Sequence, residues 1–199
     1  MATVLQFDEI SKLAEDIYYK TLLLPPDKRK EEITDEIEDL LLIAYVFGSD
    51  RVIQTVREEQ PVTDYEGLRP DAQTAYEAVY KPIQGQTFEE RIANRIDKNE
   101  LDLPALLLIA ETEYHRVEET GAYDTAKRYE DVSGYQAFKK WKGMLDARER
   151  DMHYESEGQT VPIDEMFTMP DGAQALHPGG FGVPEHDCNC RCWVEYEFR

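Results

Sequence analysis

Apolar residues recur at helical spacing along most of the chain and at strand spacing near its end. Ile10, Leu13, Ala14, Ile17 and Tyr18 repeat at intervals of three and four between Asp8 and Leu24. This predicts an amphipathic helix stopped by Pro25-Pro26. Ile33, Ile37, Leu40, Leu41 and Ala44 predict a second helix from about Glu31, with Gly48 placed to end it. Ser49 or Asp50 then caps a short third helix through Arg57, closed before Pro61. Ala72, Ala75, Tyr76 and Val79 mark another amphipathic stretch over 70–80. Thr87-Phe88-Glu89-Glu90 is a capping box, with Phe88, Ile92 and Ile96 lining the face that follows. After a polar link from Asn99 to Asp102, a long helix is expected from Leu103 to about Thr120. Its stripe is Leu103, Leu106, Leu107, Ala110, Tyr114 and Val117, and Gly121 caps or kinks it.

After about residue 131 glycine, proline and aromatic residues become frequent. Thr160–Ile163 is strand-like, and Glu157-Gly158-Gln159 reads as a turn between strands. At the end, Cys192, Val194, Tyr196 and Phe198 alternate with Trp193, Glu195 and Glu197, the period-two pattern of a half-buried strand. The expected fold is a predominantly helical α+β protein: a helical region over 1–130, then a small α+β module over 131–199 that ends in a β-strand.

Charge narrows the partners. The formal net charge is −20. Such a surface repels phosphate, which disfavours DNA as the main partner and anionic membranes as a docking site. No apolar run reaches the roughly eighteen residues of a transmembrane helix. The first residues lack the basic and apolar segments of a secretory signal, so synthesis in a cytosol is expected.

Three cysteines, Cys188, Cys190 and Cys192, fall inside five residues, and an odd number excludes a closed disulfide framework. With His186 they form the densest set of metal-binding side chains. Zinc modules usually space cysteines two residues apart in a knuckle, so i, i+2 spacing on a strand favours packed thiols and no bound cofactor. The alternative is zinc held by His153, Cys190 and Cys192, with His177 and His186 as further imidazoles. Asp146, Arg148, Arg150 and His153 bring carboxylate, guanidinium and imidazole together. They read as a structural polar network, with Arg148, Arg150 and His153 as an alternative catalytic set for RNA cleavage. Glu111, His115 and Glu118 share a helix face, which is more often solvated than metal-binding. No glycine-rich phosphate loop, nucleophile elbow or H-E-x-x-H motif occurs, and the reading is therefore non-enzymatic.

The last ninety or so residues carry an ordered set of motifs. Thr112-Glu113 is followed by Thr120-Gly121, and Trp141, Asp146, Arg148, Arg150 and His153 form a W…D-x-R-x-R-x-x-H stretch. Gly158, Phe167, Asp171-Gly172 and Pro178-Gly179 follow, and Asn189-Cys190-Arg191-Cys192 gives a terminal N-C-R-C. In this order they resemble the Mu F-like minor head proteins of phage head morphogenesis. Glu111 stands where many relatives have arginine, and Cys188 where an aliphatic residue is common. The resemblance implies a virion protein of a tailed phage, made in the host cytoplasm and acting in head assembly, DNA packaging or DNA delivery near the portal. Its expected partners are the portal or major capsid protein and other virion proteins. Apolar stripes edged by Tyr18, Tyr19, Tyr45, Tyr76 and Tyr80 offer protein-binding surface. A small RNase-like or toxin-related module is the alternative that the resemblance carries.

Overall fold

The computed structural model describes residues 7–59 and 65–199. Pro61, the expected stop of a third helix, lies outside them. Five longer helices come first: α1 (Phe7–Thr21), α2 (Pro26–Glu59), α3 (Ala72–Val79), α4 (Phe88–Asp97) and α5 (Leu103–Ser133). Strand β1 (Ala137–Lys142), helix α6 (Asp151–Glu155) and strands β2 (Thr160–Pro162), β3 (Phe167–Thr168) and β4 (Gln174–Ala175) follow. Helix α7 (Pro184–Asp187) and strand β5 (Trp193–Phe198) close the order. The chain is a predominantly helical α+β protein, with its strands near the C-terminus.

Local signals set several boundaries. Thr87 and Glu90 form the reciprocal capping box of α4, and Asp71 and Asp102 accept the Thr74 and Ala105 N–H groups at the starts of α3 and α5. Gly134, with φ 78°, takes the left-handed turn that ends α5.

Two boundaries differ from expectation. Helix α2 runs unbroken through Gly48, Ser49 and Asp50, and α5 runs past Gly121 to Ser133. Both glycines lie where α2 and α5 cross. A Cβ on Gly48 would overlap the Glu118 carbonyl, and one on Gly121 the Tyr45 carbonyl. Glycine here permits close helix approach and ends neither helix. The segment Glu157–Gln159 also differs, turning between α6 and β2 and not between two strands.

The apolar faces assemble into two cores. One gathers Ile10, Ile17, Ile33, Ile37, Leu41, Phe88, Ile92, Leu106 and Tyr114 from the helices. The other takes Val52, Ile53 and Val56 of α2 and Ala122, Ala126 and Tyr129 of α5, and joins them to Trp141, Phe167, Val194, Tyr196 and Phe198. The second core thus draws on both sides of residue 131. Of the tyrosines at the stripe edges, Tyr45 is buried, whereas Tyr19 and Tyr76 are exposed.

Strand β1 is central in an antiparallel sheet of order β2-β1-β5, with Trp141 opposite Val194 and Lys139 opposite Tyr196. Ala137, Lys139 and Trp141 face inward. Glu119 ties the sheet to the helices: one carboxylate oxygen accepts the Val194 N–H and the other pairs with Arg51 of α2.

Candidate functional site

The residues singled out in the C-terminal motifs converge at one end of the small sheet. Trp141, the last inward residue of β1, is fully buried and meets the His153 ring edge-on at 5.4 Å. His153 lies on the short α6 and is 1% exposed. Cys190 and Cys192 are both buried, in the connection from α7 to β5 and not on the strand itself. The left-handed turn at Asn189 (φ 55°) swings the chain off α7 and brings both sulfurs toward the imidazole.

The resulting geometry is a chain of polar contacts. His153 Nδ1 lies 3.6 Å from Cys190 Sγ and 3.4 Å from Cys192 Sγ. Its Nε2 lies 3.2 Å from His186 Nδ1, and His186 Nε2 lies 2.9 Å from Asp171 Oδ2. Asp171 accepts a hydrogen bond from the Ala173 N–H, which with His186 holds its carboxyl below the usual carboxylate range. An ionised Asp171 places the His186 proton on Nε2. In that tautomer His186 Nδ1 accepts from His153 Nε2–H, and His153 Nδ1 faces the two sulfurs. Phe181 stacks on His186 at 4.6 Å, shielding the relay. Asp187 accepts the N–H groups of Phe181, Gly182 and Val183 and so pins that loop.

The two thiols are not equivalent. A hydrogen bond from Cys192 pulls the Cys190 thiol down despite its burial, while the same interaction pushes Cys192 up. Cys192 Sγ also lies 3.5 Å from Glu149 Oε1. Among the described residues, His153, Cys190 and Cys192 are the one group of histidine, cysteine and carboxylate side chains placed to share a metal ion, their ligand atoms lying within 4.8 Å of one another. Glu111, His115 and Glu118 do not converge: Glu111 accepts from Ser11, and Glu118 pairs with Arg51.

The remaining motif residues brace the loop between β1 and α6. Arg191 binds Asp146 through both terminal guanidinium nitrogens, at 2.7 and 2.6 Å, which holds the Asp146 carboxyl far below the usual range. Arg150 donates to the Cys188 carbonyl. Arg148 is different: its side chain is 80% exposed and only 3.9 Å from Asp146. Arg148, Arg150 and His153 line one crevice of about 10 Å³, together with Cys190, Arg191 and Cys192. The imidazole is buried, with polar neighbours at both ring nitrogens. The pairing of His186 with Asp171 is not legible in the sequence, because the two residues stand fifteen positions apart.

The Thr112-Glu113 and Thr120-Gly121 pairs lie on α5. Glu113 is buried in a cluster with Arg91 and Arg116, whose guanidinium also donates to the Ala78 and Val79 carbonyls. Thr120 Oγ1 lies 3.3 Å from His177 Nε2, and burial holds the His177 pKa down to about 3. The motif thus joins α5 to α3, α4 and the C-terminal loops.

A sequence model for phage Mu protein F-like proteins matches residues 73–195, from α3 into β5. The chain belongs to the phage Mu protein F-like family. Minor head protein GP7 of Bacillus phage SPP1 is 34% identical over 107 residues, 53% of this chain and 34% of that protein. A protein of Enterococcus faecalis (strain ATCC 700802 / V583) named NAD(+)--arginine ADP-ribosyltransferase EFV is 38% identical over 113 residues, 55% of this chain and 22% of that protein. The chain thus spans about a third of one relative and about a fifth of the other. No solved structure matches it.

Proposed function

We propose that the chain is a minor head component of a tailed bacteriophage that acts in head morphogenesis, docked on the portal or the adjacent major capsid protein. The observation that carries this reading is the family match over 73–195, joined by the similarity to a minor head protein. The protein is made in the host cytoplasm and carried into the virion. A net charge of −20 directs it to a protein partner with a basic face more readily than to DNA. Leu13, Tyr19, Leu23, Ile43 and Val46 of the α1–α2 region leave apolar surface exposed for such a contact.

Co-purification with portal and capsid proteins, together with mass spectrometry of virions and proheads, tests the reading. Presence in proheads or virions is expected. Absence from both overturns it.

A second reading, as a toxin-related enzyme module, has the similarity to the Enterococcus protein behind it. The relatives' differing names fit a shared scaffold module attached to different neighbours. Incubation with labelled NAD and arginine-bearing acceptor protein, and separately with RNA, is expected to give no transfer and no cleavage. Either activity in the purified chain, lost in His153→Ala, would favour the second reading.

A further inference from the structure

We propose that His153, Cys190 and Cys192 form a structural zinc site, with His153 Nδ1 and the two sulfurs as ligands and the fourth position turned toward Glu149. The spacing of the cysteines does not reveal such a site, because its third ligand arrives from a different element. Cys190 is 37 residues from His153 in sequence and 3.6 Å from its Nδ1 in space.

Three observations carry the site. The first is metric. A tetrahedral zinc with Zn–S of about 2.3 Å and Zn–N of about 2.0–2.1 Å separates sulfur from nitrogen by about 3.5–3.6 Å. The two sulfur–nitrogen separations are 3.4 and 3.6 Å, close to that spacing, and all three ligand atoms lie within 4.8 Å of one another. The second is directional. The contact of His153 Nε2 with His186, itself held by Asp171, leaves His153 Nδ1 turned toward the sulfurs, as outer-shell carboxylates orient metal-bound imidazoles. A single lone pair faces two thiols, which one cation would serve better than two competing S–H donors. The third is access. A crevice of about 10 Å³, with room for about one water, is lined by Met144, Arg148, Glu149, Arg150, Asn189 and Arg191 beside the three ligands. Glu149 Oε1, 3.5 Å from Cys192 Sγ, borders the open position.

Two thiolates and one imidazole are a borderline-soft set that suits zinc over magnesium or calcium. The ion would join α6 to the start of β5 in a module whose β3 and β4 strands are only two residues each. It would act as a structural clamp, with no role in a reaction, and the inference does not depend on the head-assembly role.

The full-length protein, purified without chelator from zinc-supplemented cells, is the material for the test. Elemental analysis should find about one zinc per chain. Cys188, the partly exposed cysteine, should then be the one thiol that reacts quickly with an alkylating reagent, and chelation should expose the other two. Cobalt added to the chelated protein should give sulfur-to-metal charge-transfer absorption. His153→Gln should lose the zinc while keeping the helical circular dichroism, and Asp171→Asn should weaken zinc binding about 10–100-fold. No retained zinc, no cobalt band and no rise in melting temperature with added zinc would overturn the proposal. So would unchanged zinc affinity in both variants.

Discussion

Gly48 of α2 and Gly121 of α5 form a reciprocal contact at the crossing of the two longest helices. The absent Cβ of Gly48 leaves room for the Glu118 carbonyl, and that of Gly121 leaves room for the Tyr45 carbonyl. Ser49 Oγ donates to the Gly121 carbonyl at 3.3 Å beside them. The crossing brings Arg51 of α2 against Glu118 and Glu119 of α5, and Glu119 in turn holds β5. The helical region and the small sheet are coupled through this point.

Gly48→Ala and Gly121→Ala should each destabilise the fold. Helix propensity alone would favour alanine by about 1 kcal/mol. The added methyl meets backbone that neither helix can move locally, and overpacking of this kind costs roughly 1–3 kcal/mol or more. The net expectation is a lower midpoint in chemical denaturation for either variant. A midpoint equal to or above that of the parent would mean that the helices can separate without loss.

Removal of Arg51 should be severe. It is one cation between two buried carboxylates, and burial raises the pKa of both Glu118 and Glu119 against its pull. Arg51→Met leaves both acids uncompensated, a loss on the order of 3–5 kcal/mol near neutral pH. In the variant the folded-state pKa values stay above the unfolded value. The folded chain then binds protons that the unfolded chain has released, and stability falls as pH rises from the carboxylate range. Denaturation at acidic and neutral pH checks the sign: the deficit should shrink toward acid. Adding Glu119→Gln to Arg51→Met should recover part of it, since the amide oxygen can still accept the Val194 N–H.

Lys139 predicts the opposite pH trend. Its side chain is fully buried on the inner face of β1, donating to the Leu176 carbonyl at 2.8 Å between the Tyr123 and Phe167 rings. Burial lowers its pKa to about 8, with Asp164 and Glu165 opposing the shift. Between about pH 8 and the unfolded value of 10.5 the unfolded chain binds more protons, so this lysine adds stability as pH rises through that window. Lys139→Met should remove the increment. The difference in melting temperature between parent and variant, followed from pH 7.5 to 10, measures it; a constant difference would rule out a lowered pKa.

Local chemistry was legible in the sequence. The capping box at Thr87 and Glu90, the stripe of α4 and the alternation from Cys192 to Phe198 depend on residues within a few positions of one another, so their pattern was enough. The ordered motifs from Thr112 to Cys192 led to the family for a related reason: order along a chain is a property of sequence. Other features depend on what arrives from elsewhere. Gly48 and Gly121 carry the local signal of a helix end, but each sits against the partner helix, and close approach decided in favour of continuation. Lys139 shares the strand phase of Ala137 and Trp141, and β1 turns it inward with them. Cys190 and Cys192 read alone as packed thiols. The sequence left a zinc set of His153, Cys190 and Cys192 as the alternative, and the tertiary structure brings these side chains together and adds the His186–Asp171 contact, because the loops around the left-handed turn at Asn189 must close before those atoms meet.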